Sequence, residues 1–245
     1  MGTIFQKNTI TEPALFTPFD TTKKIEGFPE ICVSTFSENI IQKFASLKSV
    51  EKIAELYTAN GALPVYKTYY KNQDIAFYLS RVGAPACVAG FEEVVAMGAK
   101  KFVMFGSCGV LDDEKVKDNM IIPVSAVRDE GTSYHYIAPS EEIKASEHSI
   151  RVLQNVLEFC GYSYVKGKHG PRMQFTEKPF QRLRNAGRKA VLRLKWNVHL
   201  CWQFHNTGRF HLYNFCMGRI VSVRKNGKFE IWNCMDLRML RNTCC

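Results

Sequence analysis

Two short apolar runs, KFVMF (101–105) and MIIPVSAV (120–127), limit what this chain can fold into more than any other feature. Each is shorter than a normal buried helix and bounded by polar or glycine-containing sequence, so each predicts a strand covered on both faces. Covering such strands requires helices, and the neighbouring sequence supplies them. Ser37 to Leu47 (SENIIQKFASL) has a Ser cap, an early Glu and apolar residues at helical spacing. Pro85 opens a helix through ACVAGFEEVVAM that stops at Gly98. Ser140 predicts the cap of a third helix reaching about Phe159, with Glu141 and Glu142 in its first turn and Gly161 beyond its end. VYKTYY (65–70) and DIAFYLS (74–80) flank a short polar turn and predict a β-hairpin. Pro123 marks MIIPVSAV as an edge or irregular strand. The expected class is α/β, layered around a largely parallel or mixed sheet.

That order does not extend through the whole chain. Residues 169–245 hold 15 Lys and Arg against 3 Asp and Glu, whereas residues 1–168 hold 18 against 20. The net charge of +10 therefore belongs to the tail, as do all three Trp (Trp196, Trp202, Trp232), four of the six His and five of the nine Cys. Apolar periodicity in 169–245 is poor. The expected organisation is one α/β domain over 1–168 and a tail, 169–245, with no assigned domain. No apolar run is long enough to span a bilayer, and the first residues, MGTIFQKNTITEPALF, lack the apolar stretch of a secretory signal. Nine Cys without a signal predict reduced thiols in the cytoplasm, and the absence of a CxxC pair argues against zinc.

Ligands of such sheets sit at the carboxyl ends of strands, which singles out two segments. Gly106-Ser107-Cys108-Gly109 follows KFVMF directly. Small residues there let backbone N–H groups approach an anion, and Ser107 adds a hydroxyl; a tight turn without a ligand is an equal alternative. Arg128-Asp129-Glu130-Gly131-Thr132-Ser133-Tyr134-His135-Tyr136 follows MIIPVSAV and is unusually rich in hydrogen-bonding groups for a connector. A solvated charged loop is its simpler alternative, and His135 by itself reads as structural rather than as a general base.

SRVGAPACVAGFEEVVAMGAKKFVMFGSCGVLD (80–112), with IIPVSAVRDEGTSYHYIAPSEEI (121–143), closely resembles the nucleoside phosphorylases that act on purine nucleosides and uridine. The resemblance spans most of residues 10–168. It implies a three-layer α/β/α fold around a mixed central sheet, usually assembled into homo-hexamers. The implied reaction moves the pentosyl group of a nucleoside onto inorganic phosphate, which is a co-substrate; no metal or organic cofactor is implied. By the same resemblance Gly106 and Ser107 help hold phosphate, and Ser107, Cys108 and Gly109 line the nucleoside site. Arg128, Glu130 and Thr132 shape its neighbouring wall. Two departures accompany these matches. The family's arginine in the strand before the glycines corresponds to Met104, and its early phosphate box is reduced to Gly27-Phe28-Pro29. Arg81 is the candidate replacement cation. No catalytic residue is assigned.

Past Lys168 the resemblance stops, and the expected T-W-T-T-D-A, V-E-M-E and A-D blocks are missing. Loss of one base near the Lys168 codon restores them: each original codon becomes the third base of a present codon plus the first two of the next. HGPRMQFTEKP (169–179) is then compatible with T-W-T-T-D-A-V-Y-R-E-T, and Leu194 to Val198 with V-E-M-E-C. FCMGRIVSVRKNGKFEIWN (215–233) permits a segment containing A-D. Four blocks recur in order and at the right spacing, so the tail reads as a frame-shifted translation, and the chain as a phosphorylase crippled by loss of its C-terminal segments. The alternative is a basic tail that binds nucleic acid on an inactive scaffold, which the charge-neutral front does not favour.

Overall fold

The computed structural model describes residues 14–59, 61–110, 119–128, 130–170, 192–194 and 211–218; residues 107, 109, 110, 170, 192–194 and 211–218 are described by their backbone alone. Among the described residues a single mixed sheet carries the fold. Its strands are β1 (Ile31–Thr35), β2 (Glu51–Thr58), β3 (Gly61–Tyr70), β4 (Gln73–Leu79) and β5 (Lys101–Val110). They are followed by β6 (Met120–Val127), β7 (Glu142–Lys144), β8 (Tyr164–Gly170), β9 (Leu192–Leu194) and β10 (His211–Gly218). The helices are α1 (Pro18–Thr21), α2 (Glu38–Ala45), α3 (Ala84–Met97) and α4 (Glu147–Phe159), with a 3-10 turn at Thr132–His135.

One half of the sheet is the meander β2–β3–β4 followed by β1 and β5, with β4, β1 and β5 parallel. The other half closes on itself: β5 pairs with β9, β9 with β8, β8 with β6, β6 with β10, and β10 returns to β5. Lys71 (φ 45°) and Asn72 (φ 63°) turn the predicted hairpin. Two successive left-handed residues match the twist of the flanking strands, and Asn tolerates that conformation.

Alternation along the strands builds two cores. Cys32, Phe102 and Met104 face α3 and meet Cys87, Phe91 and Val94. Val33, Val103 and Phe105 face the opposite way, toward Ile40 of α2 and Leu153 and Leu157 of α4. Helices therefore cover both faces, giving the three-layer arrangement that the resemblance implied.

Two elements differ from expectation. The third helix starts at Glu147 rather than after Ser140. Residues 142–144 pair with β6 (Ser125↔Lys144, Val127↔Glu142), and the Arg128 guanidinium donates to Ser140 Oγ, so neither segment is free to become helical. Ser146 is the cap, its Oγ accepting from Ser149 N–H at 3.1 Å. Pro123 lies in an interior strand, since β6 has β8 on one flank and β10 and β7 on the other. The missing N–H is accommodated by a register shift against β8 between Pro123 and Ser125, so the strand is irregular but not at an edge.

Candidate functional site

Because β4, β1 and β5 are parallel, Leu79, Thr35 and Phe105 end level with one another. Ser80 N–H extends the β4–β1 ladder by donating to Thr35 O at 2.8 Å. Beyond this line β1 stops while β5 continues, so the glycine-rich segment is extended strand rather than a post-strand turn. On one flank β5 pairs with β10 through Cys108; on the other it pairs with β1 through Phe105 and with β9 from Cys108. Gly106 and Ser107 are left with no ladder partner on that second flank among the described residues. Successive residues of a strand direct their N–H and C=O to alternate flanks, so one of the two turns its N–H into this gap. Gly106 also has to lack a side chain: a Cβ there would stand 3.3 Å from Phe36 Cδ2.

Two more groups at this edge have polar atoms without hydrogen-bond partners among the described residues. Thr35, 1% exposed, leaves its Oγ1 unpartnered. Arg81, just past the end of β4, donates through Nη2 to Gly61 O at 2.6 Å while its buried Nε has no acceptor. Thr35 is a residue that sequence reasoning missed; a hydroxyl in TFSEN carries no distinctive motif. Gly27-Phe28-Pro29, by contrast, precedes β1 and so lies at the opposite edge. Phe28 packs in the core, 3.2 Å from where a Cβ on Gly98 would be. Met104 is 1% exposed within the α3-side core, and Cys108 is buried in that same core.

The second segment is held by its own side chains. Arg128 is 5% exposed. Its Nε donates to Ser133 Oγ (2.9 Å), Nη1 to Ala138 O (2.6 Å) and Ser140 Oγ (2.9 Å), and Nη2 to Ile137 O (3.3 Å). The guanidinium lies 4.2 Å over the Tyr134 ring. Burial lowers its pKa, opposed by Tyr134 and Glu130. Glu130, 6% exposed, accepts from Ser133 N–H on Oε2 at 2.9 Å. Its Oε1 is buried and has no hydrogen-bond partner among the described residues. Thr132 opens the 3-10 turn, half-buried, and His135 is exposed on it.

Tyr136 carries this loop to the same edge of the sheet as the first segment. It packs against Ala84 and Val88 in the first turns of α3, and its hydroxyl donates to Glu92 Oε1 at 2.9 Å. Burial raises the pKa of Glu92, with the Tyr136 hydrogen bond acting the other way. Glu93, raised for the same reason, accepts from Tyr57 N–H and feels the charge of Arg81. Among the described residues no three His, Cys, Asp or Glu side chains cluster as a metal site requires, and no helix is long and apolar enough to cross a membrane. The resemblance's V-E-M-E and A-D positions lie outside the residues whose side chains are described.

The arrangement thus combines an edge rich in uncommitted donors with a loop offering an uncommitted acceptor. Known proteins with related sequences and folds agree with it. A uridine phosphorylase of Thermococcus kodakarensis is 31% identical over 124 residues, 48% of this chain and 45% of that protein. A uridine phosphorylase of Treponema pallidum is 30% identical over 105 residues, 43% and 38% of the two chains. A guanosine phosphorylase of Halorubrum lacusprofundi is 26% identical over 83 residues, 34% of each. The chain thus spans less than half the length of these curated relatives.

In fold it matches the purine nucleoside phosphorylase of Toxoplasma gondii (TM-score 0.68, 12% identity, 92% of this chain and 87% of that one). It also matches the uridine phosphorylase of Vibrio fischeri (TM-score 0.69, 18% identity, 84% and 87%). The sequence profile of the phosphorylase superfamily covers residues 30–194, from the start of β1 to the end of β9. The chain belongs to the phosphorylase superfamily.

Proposed function

We propose that the described part of this chain is the scaffold of a nucleoside phosphorylase. In this reading inorganic phosphate occupies the gap beside Gly106 and Ser107, and the nucleoside lies between that gap and the loop that begins at Arg128. Phosphate attacks the anomeric carbon, the bond from that carbon to the base nitrogen breaks, and the products are pentose 1-phosphate and free base. Positive charge builds on the sugar as the bond breaks, so an anion held beneath it lowers the barrier. One observation supports the reading most: the gap, Thr35 Oγ1 and Arg81 Nε are uncommitted groups at a single strand edge, each able to donate a hydrogen bond. An anion is the ligand that takes only donors.

The proposal extends to the tail: 169–245 is an out-of-frame translation, so the general acid for the departing base and the ribose-holding carboxylate are missing. Loss of the proton donor alone lowers rate by about a hundredfold or more. The purified 245-residue chain is expected to bind phosphate and to release little or no uracil or hypoxanthine from nucleosides. Equilibrium dialysis against labelled phosphate, run beside a base-release assay, tests both parts. Absence of phosphate binding overturns the cradle, and brisk phosphate-dependent base release overturns the crippled tail.

A second reading rests on the excess of basic residues in 169–245. It expects binding to generic duplex DNA that falls steeply with salt and disappears when 169–245 is deleted.

A further inference from the structure

Glu130 is the one described carboxyl group that is buried yet only half used. Its Oε2 takes the Ser133 N–H, while Oε1 is shielded from water and has no donor among the described residues. A buried acceptor left unmade costs about 1–3 kcal/mol, and more when charged, so such a group persists in a native fold for a reason. The surroundings do not let it swing away. Arg128 ties Ser133, Ile137, Ala138 and Ser140 into one knot, and Tyr136 pins the turn to α3 through Glu92. The Arg128 charge beside it favours the carboxylate, which accepts hydrogen bonds and donates none.

A second anion is therefore excluded from this position, and phosphate belongs at the donor-rich edge instead. What remains for Oε1 is a neutral donor. Pentose hydroxyls both donate and accept, and water serves them equally well. A lactam N–H flanked by carbonyl or imine carbon offers a single fixed donor in a flat ring that a rigid, water-poor wall can select.

We propose that Glu130 is a specificity-determining residue whose Oε1 accepts the ring N–H of an oxo-nucleobase, N1–H of inosine or N3–H of uridine. This rests on the phosphorylase reading and adds to it the class of base. Exchange to glutamine keeps an oxygen for the Ser133 N–H and turns an NH2 toward the ligand, placing donor against donor.

The test is calorimetric binding to the full chain in the presence of phosphate, using inosine, 1-methylinosine, uridine and 3-methyluridine, so turnover is not needed. N-methylation is expected to weaken binding on the order of ten- to a hundredfold, the range for a hydrogen bond to a charged group. Glu130→Gln is expected to weaken the unmethylated nucleosides by a similar factor and largely erase the difference between each pair. Equal affinity for methylated and unmethylated ligands overturns the assignment while leaving the phosphorylase reading standing. A loss confined to 2′-deoxynucleosides overturns it in favour of the sugar. A wild-type chain that binds none of the four nucleosides overturns the inference and the functional reading together. The methylated ligands probe the unmodified chain, so a poorly folding variant does not rescue the proposal.

Discussion

The two segments that follow β5 and β6 reach the same edge of the sheet by opposite means. The first, Gly106 to Gly109, uses almost no side-chain chemistry. It is held extended by strands on either flank, and its usefulness lies in a two-residue interruption between the end of β1 and the start of β9. The second is shaped almost wholly by side chains, with one buried guanidinium donating to four acceptors across residues 133–140. The contrast teaches that a site wall can be specified by backbone vacancy or by a buried ionic knot. The two should fail differently under mutation: the first should lose ligand, the second should lose structure.

The largest effect expected is at the knot. Arg128→Met keeps the apolar stem but leaves Ser133, Ile137, Ala138 and Ser140 with unmade acceptors and Glu130 without its neighbouring charge. A destabilisation of about 3–5 kcal/mol is expected. Arg128→Lys should recover little of it, because a single ammonium does not span four acceptors in fork geometry. Urea unfolding of the three proteins checks this; a loss below about 1 kcal/mol for Arg128→Met would show that the loop stands without its centre.

Next in size is Gly106→Ala, where the added methyl meets Phe36 Cδ2 at 3.3 Å. Overpacking of this kind costs about 1–3 kcal/mol, and Phe36→Leu in the same chain should relieve part of it. Phosphate affinity should fall in Gly106→Ala by more than any accompanying change in stability accounts for, whereas Arg128→Lys should not show that excess. If both variants lose phosphate only in proportion to stability, the distinction between vacancy and knot collapses.

How much of this was readable beforehand differs by region and for physical reasons. KFVMF, the 65–80 hairpin and the helix from Pro85 to Gly98 were legible because burial on both faces, turn residues and a glycine stop are local signals. Gly98 takes φ 139°, a conformation that side chains rarely adopt. The helix start at Ser146 was not legible. Ser140 with Glu141 and Glu142 is as good a cap by local rules, and only pairing of 142–144 with β6 decides against it. The phosphate edge was half legible: Gly106 and Ser107 follow from their motif, but the gap beside them exists only because β1 ends at Thr35 while β5 runs on. Arg128 and Glu130 were singled out as wall residues. That one fastens the wall while the other keeps an oxygen in reserve is a property of three-dimensional contacts, which no spacing rule contains.

The smallest effect lies where the knot is fastened to α3. Tyr136→Phe removes the hydroxyl that donates to Glu92 and should cost about 1 kcal/mol, leaving the packing on Ala84 and Val88 intact. The bond should also leave a signature in pH. Burial raises the pKa of Glu92 above its unfolded value, outweighing the Tyr136 hydrogen bond. The folded state therefore holds that proton more tightly than the unfolded one. Its contribution is fully present below the ordinary carboxylate range and is lost as pH rises through that range to the raised folded value. Glu92→Gln keeps an acceptor for Tyr136 but has no proton to lose. The stability difference, Gln variant minus wild type, should therefore grow as pH climbs from about 4 to about 7, and thermal unfolding of both proteins across that range checks it. In a Tyr136→Phe background the opposing hydrogen bond is gone, so the rise should be steeper still. An unchanged slope would mean that the phenol does not hold Glu92 in solution, and the loop's attachment to α3 would then rest on Ala84 and Val88 alone.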